Sequence, residues 1–259
     1  MRSKLLPVVL LLLFLAACGS QGPAVQKPAA SSSRPSSTPA LSSSVCTSST
    51  WTAPAISHED GANTSGSTAG LVSPHMDMGP HMKMTGFRAP TKADYNRAMV
   101  IMQVAGLCLA KYKDYHLALR DGYQIFTPDV PQDIYHFASV QNFFSAQTRF
   151  DPRHPSALLY KPLGSGYQLV GVMFSAAANS SEDQLNQLFP LSMAPWHLHT
   201  NICLPRGDMD RALFPAGSQF GLDGSISTEA ACTKAGDVFL PQLFGWMVHI
   251  YPWGDASPS

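Results

Sequence analysis

The stretch Trp196-His197-Leu198-His199-Thr200-Asn201-Ile202-Cys203 decides how this chain is organised. Read as a β-strand, it places alternate side chains on opposite faces, so His197 and His199 share one face while Leu198 and Ile202 point into a core. At a rise of about 3.3 Å per residue, the two histidines lie about 6–7 Å apart at the backbone, and both rings can converge on one ion. Imidazole binds zinc, copper, iron and nickel. The stretch therefore predicts half of a metal site.

Two more histidines have strand-like neighbours. His136 lies between Tyr135 and Phe137, and His249 lies between Val248 and Ile250. Three or four imidazoles would form a site for copper or, alternatively, zinc. The predicted ligands in the folded domain are His136, His197, His199 and His249. The alternative is that these are core histidines, each satisfied by a hydrogen bond. Cys203 as a thiolate and Met247 as a weak axial ligand are further candidates on the same faces.

A second cluster of possible ligands precedes the domain, in His75-Met76-Asp77-Met78-Gly79-Pro80-His81-Met82-Lys83-Met84. These ten residues contain two histidines and four methionines, and a methionine in a disordered segment has no packing role to explain it. Thioethers are soft ligands that, with imidazole, select copper and particularly Cu(I). The segment resembles the His/Met-rich stretches of periplasmic copper-resistance and copper-efflux proteins, although drift in linker composition would also produce it. The predicted ligands are His75, Met76, Met78, His81, Met82 and Met84.

The N-terminus has the pattern of an export signal. Arg2 and Lys4 precede an apolar run, 5–15, which is shorter than the roughly 20 residues of a membrane-spanning helix. The following Leu15-Ala16-Ala17-Cys18-Gly19 resembles a bacterial lipobox. This resemblance implies that residues 1–17 are removed, that Cys18 is acylated, and that the protein is anchored in the cell envelope. Gly19 resembles the residue found in lipoproteins of the outer membrane, so we expect the protein there, facing the periplasm.

Charge and cysteine content agree with an exported protein. The chain has 17 Lys plus Arg and 17 Asp plus Glu, and this balance gives no indication of a nucleic-acid partner. After Cys18, four cysteines remain, and an oxidising compartment favours disulfides. A Cys203–Cys232 bond would close a loop of about 30 residues and stabilise the fold by about 3.5 kcal/mol. The partners of Cys46 and Cys108 stay open.

Composition divides the chain into three parts. Residues 1–17 are the signal peptide, and residues 18–89, rich in Ser, Thr, Pro and Ala, are predicted to be a disordered tether because they cannot bury enough apolar surface. Residues 90–254 are predicted to form an α+β domain, with a long N-terminal helix from about residue 93 to 120, capped by Thr91, on a mostly antiparallel sheet. Further strands are predicted at 123–126, 134–137, 167–174 and 243–251, with a short helix over 181–188.

Most of the domain also resembles an uncharacterised family of exported bacterial proteins. The residues that carry this resemblance are Gly122-Tyr123, Tyr135-His136-Phe137, Asp151-Pro152, Leu158-Leu159-Tyr160 and Leu169-Val170-Gly171-Val172. It implies a shared fold, and the histidines of the family would match His136 and His199.

Three functions are compatible with the sequence. The first is a lipid-anchored envelope protein that binds copper and exchanges it with other metal-handling proteins. The second is a hydrolase or oxidase with a three-histidine site and an open position for water. The third is a structural domain without metal. No nucleophile elbow, phosphate loop or His-Glu-x-x-His motif is present in the sequence.

Overall fold

A seven-stranded antiparallel sheet organises the described part of the chain, in the strand order β1-β6-β7-β5-β4-β3-β2. The computed structural model describes residues 42–52, 79–206 and 219–254, which lie in one compact unit, residues 40–259. The strands are β1 (Met82–Met84), β2 (Gln124–Ile125), β3 (Tyr135–Ala138), β4 (Ala157–Leu163), β5 (Gly166–Ala176), β6 (His197–Leu204) and β7 (Val238–Ile250). With the helices described below, this is the predicted α+β class.

One face of this sheet forms the main core. Side chains of alternate residues, such as Val172 and Phe174 in β5 and Val248 and Ile250 in β7, are at most 2% exposed and pack in one apolar cluster. Trp196, which is 0% exposed, joins this cluster immediately before β6. Because strand side chains alternate, burial of these residues sends their neighbours to the opposite face.

The described residues form five α-helices, of which the first, second and fourth contribute buried side chains to the core face of the sheet. They are α1 (Lys92–Cys108), α2 (Tyr115–Arg120), α3 (Val140–Ala146), α4 (Glu182–Leu188) and α5 (Glu229–Ala235). The predicted caps are confirmed: the side chain of Thr91 accepts a hydrogen bond from the Asp94 N–H, and Ser181 caps α4. From α1, Ala98, Ile101 and Ala105 enter the sheet's apolar cluster.

The predicted single helix from 93 to 120 is wrong in its length. The chain leaves α1 after Cys108, passes through a 3-10 turn (Ala110–Lys113), and starts α2 at Tyr115. Asp114 has extended backbone and its side chain accepts a hydrogen bond from the His116 N–H, so it caps the second helix. The break brings Tyr112 into the core, where its carbonyl accepts a hydrogen bond of 2.6 Å from the Tyr160 hydroxyl.

Residues 42–52, predicted as tether, have a defined structure. They contain a 3-10 turn (Ser43–Cys46), and Cys46 forms a disulfide with Cys108 at the end of α1. The Arg153 guanidinium, buried against Asp151 at 2.7 Å, donates to the carbonyl oxygens of Val45 and Ser48. The disulfide and the hydrogen bonds from Arg153 therefore stabilise an ordered structure in a segment whose composition alone does not favour one.

The prediction of a tether up to residue 89 also needs correction at its other end. Gly79–His81 form a 3-10 turn, and Met82–Met84 form β1, which pairs with β6 in the register Met82–His199 and Met84–His197. The unpaired edge of β6 offers backbone hydrogen bonds to this segment, so its order comes from a strand more than 100 residues away. The last strand also differs from the prediction, because β7 begins at Val238 rather than near residue 243.

Candidate metal centre

Among the described residues, four histidines lie on the sheet face opposite the main core: His136 in β3, His197 and His199 in β6, and His249 in β7. Leu198, between the two histidines of β6, is 3% exposed and packs in the core. Residues next to the histidines in these strands pack in the main core. Because side chains alternate along a strand, the imidazoles lie on the opposite face. The predicted shared face of His197 and His199 agrees with the structure.

The rings lie close to one another although they come from three strands. The Nε2 atoms of His136 and His249 are 3.3 Å apart, and the centroids of these two rings are 5.2 Å apart. The centroid distance is 5.0 Å between His197 and His249 and 5.7 Å between His197 and His199. Two imidazole nitrogens bound at 2.0–2.1 Å to one tetrahedral ion lie about 3.3 Å apart, with ring centroids about 5 Å apart. Three of the six ring pairs, His136–His249, His197–His249 and His197–His199, therefore have about the spacing expected of two ligands on one ion.

The ring orientations are not yet those of a complete coordination shell. In the described ranges, no group of three His, Cys, Asp or Glu side chains is placed to hold one metal ion. Without an ion, the contact of His136 with His249 is a long hydrogen bond from one ring N–H to the lone pair of the other. Imidazole rings turn readily about χ2, because that torsion has a broad energy well.

All four histidines are held in the neutral form. The pKa is about 4 for His136 and His199 and about 3 for His197, lowered chiefly by burial and, for His136 and His197, also by neighbouring imidazoles. The pKa of His249 is also well below its ordinary value, chiefly through burial. Metal binding requires a free imidazole lone pair. Near neutral pH, an ion can therefore bind without net proton release, once the ring that donates the His136–His249 hydrogen bond moves its proton from Nε2 to Nδ1.

Two nitrogen atoms in this cluster have no partner among the described residues. The Nδ1 atoms of His197 and His199 are buried and accept or donate no hydrogen bond. A buried polar atom without a partner is destabilising by about 1–3 kcal/mol. Native structures seldom retain such atoms unless a water molecule, an ion or a function explains them. These two nitrogens without partners are what we expect of a cluster in which the imidazole nitrogens bind a ligand.

A cavity of about 610 Å³ lies against the histidines. Thioethers from three strands line it together with the imidazoles: Met82, Met173 and Met247. The rest of its wall is largely apolar and includes Phe126, Ile134, Phe143, Phe144, Leu222 and Phe244. Of the described residues that line it, Asp133 is the only one with a carboxylate. The donor set is thus neutral nitrogen and sulfur in apolar surroundings.

The predicted ligands of the His/Met-rich segment separate in the structure. Met82 lines the cavity, whereas Met84 is 38% exposed. His81 is buried, and its two ring nitrogens contact the carbonyl oxygens of Asn201 at 3.0 Å and Gly224 at 2.6 Å. In this arrangement His81 joins β1 to β6 and to the loop at residue 224 instead of facing an ion. His75, Met76 and Met78 lie outside the described residues, as does Cys18.

The predicted Cys203–Cys232 disulfide is confirmed, with the cysteine Cα atoms 5.6 Å apart. Cys203 is therefore not available as a thiolate ligand. Met173 and the phenylalanines that line the cavity were not predicted from the sequence. Met173 alternates with Val172 and Phe174 in a recognised strand, but its proximity to His249, its cross-strand partner, depends on a long-range pairing.

Comparison with protein-family models, with curated proteins and with solved structures finds no match. Within the described ranges, no helix is both long enough and apolar enough to cross a membrane.

Proposed function

We propose that this protein binds a transition-metal ion, with copper as the first choice and zinc as the alternative, at the histidine face of the sheet. The observation that carries the proposal is the meeting of four neutral imidazoles from three strands, with ring spacings of 5.0–5.7 Å. These spacings fit a shared ion, and the buried Nδ1 atoms of His197 and His199 have no hydrogen-bond partner in the part of the chain that the structure describes.

The chemistry of the donors favours copper over zinc. Imidazole and thioether are neutral ligands, and thioether sulfur is soft, which suits Cu(I). A neutral donor set leaves the charge of the ion uncompensated, and the cost of burying a charge rises steeply with its magnitude. A monovalent ion is therefore held here at lower cost than a divalent one, unless Asp133 or a bound anion supplies negative charge.

The lipobox-like sequence and the His/Met-rich segment support a proposal for where in the cell this site would act. A lipobox-like sequence ending at Cys18 would anchor the protein in the cell envelope, and we place it at the outer membrane, facing the periplasm. The His/Met-rich segment, residues 75–84, would capture copper from other envelope metal-handling proteins. Met82 supports this link because it belongs to the segment and also lines the cavity.

Competition for Cu(I) tests the proposal. Mature protein without a histidine tag is titrated against a coloured Cu(I) chelator, alongside His249→Leu and the control His116→Gln, whose imidazole is 70% exposed. We expect one tightly held ion at the domain site in the wild type and the control, and loss of that ion in His249→Leu. Equal stoichiometry and affinity in all three proteins would leave the domain without a metal site, as in the structural alternative.

The cavity favours a second candidate function, a metal-dependent oxidase or hydrolase. Its volume of about 610 Å³ lies within the 300–1,000 Å³ range of small-molecule sites and is far larger than an ion requires. Such an enzyme would keep one coordination position open for water or substrate. Turnover by copper- or zinc-loaded protein that disappears in His249→Leu would select this candidate over a carrier.

A further inference from the structure

A bulge in β7 turns a phenylalanine towards the histidines. His197 pairs with Met247, but His199 pairs with Leu243, so two residues of β6 span four residues of β7. Phe244, inside this irregularity, has φ +63°, a backbone conformation that is an outlier for a bulky residue. A Cβ atom at the following Gly245 would clash with the Ala176 carbonyl oxygen. Bulges of this kind re-aim a side chain, often beside a functional site.

Phe244 is the centre of an aromatic wall. Its ring centroid is 6.0 Å from Phe126 and 6.4 Å from Phe143, with interplanar angles of 79° and 81°. Phe143 also contacts Phe144, which is 66% exposed, and Phe244 itself is 40% exposed. Edge-to-face contacts of this kind are favourable arrangements of aromatic rings. The wall therefore begins in the cavity and continues to the surface, as expected at an entrance.

The opposite side of this wall is strained too. Thr127, next to Phe126, has φ +50° although it is β-branched and 4% exposed. The Gln132 side-chain amide donates hydrogen bonds to the hydroxyl and carbonyl oxygens of Thr127 and holds this turn. The Phe126–Phe244 contact thus involves one residue with a positive φ, Phe244, and lies beside a second, Thr127. Strain of this type persists where the surrounding structure imposes it, and it is concentrated at binding sites.

We propose that the cavity binds a small aromatic molecule with one hydroxyl group, its ring against Phe126, Phe143 and Phe244 and its hydroxyl towards the imidazoles. A neutral imidazole nitrogen accepts a hydrogen bond from a hydroxyl group. A charged ligand would lose its hydration in a largely apolar cavity. This inference rests on the aromatic wall and goes beyond metal binding, since the ring contacts do not need an ion.

Calorimetric titration with phenol and with cyclohexanol tests the inference, because the two share a hydroxyl group and differ in the aromatic ring. The full mature chain is measured twice, once with a metal chelator and once with copper. We expect phenol to bind the metal-free protein in a one-to-one ratio and cyclohexanol to bind more weakly. Phe244→Leu should weaken phenol binding about 2- to 10-fold. The control Phe87→Leu, at a 65% exposed phenylalanine that is not part of the wall, should leave it unchanged.

A second variant at residue 244 separates the effect of backbone strain on stability from the effect of the aromatic ring on phenol binding. Phe244→Gly relieves the positive φ and removes the ring, so we expect its thermal midpoint to equal or exceed that of the wild type while phenol binding is lost. No phenol binding by the metal-free wild type, equal affinity for cyclohexanol, or unchanged affinity in Phe244→Leu would each overturn the inference. Failure of copper binding alone would leave the phenol result intact, so the two proposals are tested separately.

Discussion

Acidification of the metal-free protein should unfold it through the histidine cluster. An unfolded histidine titrates near pH 6.5. In the folded chain the pKa is about 4 for His136 and His199 and about 3 for His197. Between these values and pH 6.5, the unfolded state binds more protons than the folded state, so the free energy of unfolding falls as the pH falls. Above pH 6.5 neither state protonates these rings, and the full stabilisation is retained.

The expected effect is large. A histidine that is protonated only in the unfolded chain lowers the free energy of unfolding by about 1.4 kcal/mol per pH unit. For His136, His197 and His199 together, the slope reaches roughly 4 kcal/mol per pH unit between about pH 5.5 and 4.5. Domains typically have only about 5–15 kcal/mol of stability, so between about a quarter and four fifths of it should be lost within this window.

Urea unfolding followed by tryptophan fluorescence, in the presence of a chelator, measures this dependence at about pH 7.5, 6.5, 5.5 and 4.5. The variant His249→Phe removes one imidazole from the cluster and should reduce the slope of the free energy of unfolding against pH. The control His116→Gln removes an exposed imidazole and should reproduce the wild-type curve. Stability that stays constant from pH 6.5 to 5.5, or the same slope in all three proteins, would refute a buried neutral cluster.

Two further predictions concern the anchor of residues 42–52. Cys108→Ser removes the disulfide to Cys46, which spans 62 residues, and should lower the free energy of unfolding by about 4 kcal/mol in denaturant titrations under oxidising conditions. Asp151→Ala leaves the guanidinium of Arg153, 5% exposed, without its carboxylate and should cost about 3–5 kcal/mol. An Asp151→Ala midpoint within error of the wild type would show that the carbonyl contacts alone satisfy the arginine.

Local patterns predicted the parts of the fold that depend on local physics. Alternation in 196–203 placed His197 and His199 on one face, and the Thr91 and Ser181 caps marked two helix starts. The break after α1 was not predicted. The segment near residue 105 is apolar on nearly all sides, which indicated one long buried helix, and the helix cap at Asp114 was therefore overlooked. Asp114 was the available signal, since aspartate favours helix starts.

Long-range features could not be predicted in the same way. The pairing of β1 with β6 joins residues more than 100 positions apart, and the approach of His136 to His249 depends on a sheet order that brings β3 and β7 together across β5 and β4. The bulge at Phe244 left one trace in the sequence, because an isolated glycine within a strand pattern, here Gly245, indicates an irregularity. The face of the sheet on which the Phe244 side chain lies depends on the pairing register of β6 with β7, which is a long-range feature.

A copper-soaked crystal, measured at the copper absorption edge, tests the central claim most directly. We predict one anomalous peak about 2 Å from the Nε2 atoms of both His136 and His249, with His197 or His199 turned to supply a third nitrogen. A structure in which these rings keep their mutual hydrogen bond, and the peak is absent or lies away from this face of the sheet, would contradict the account.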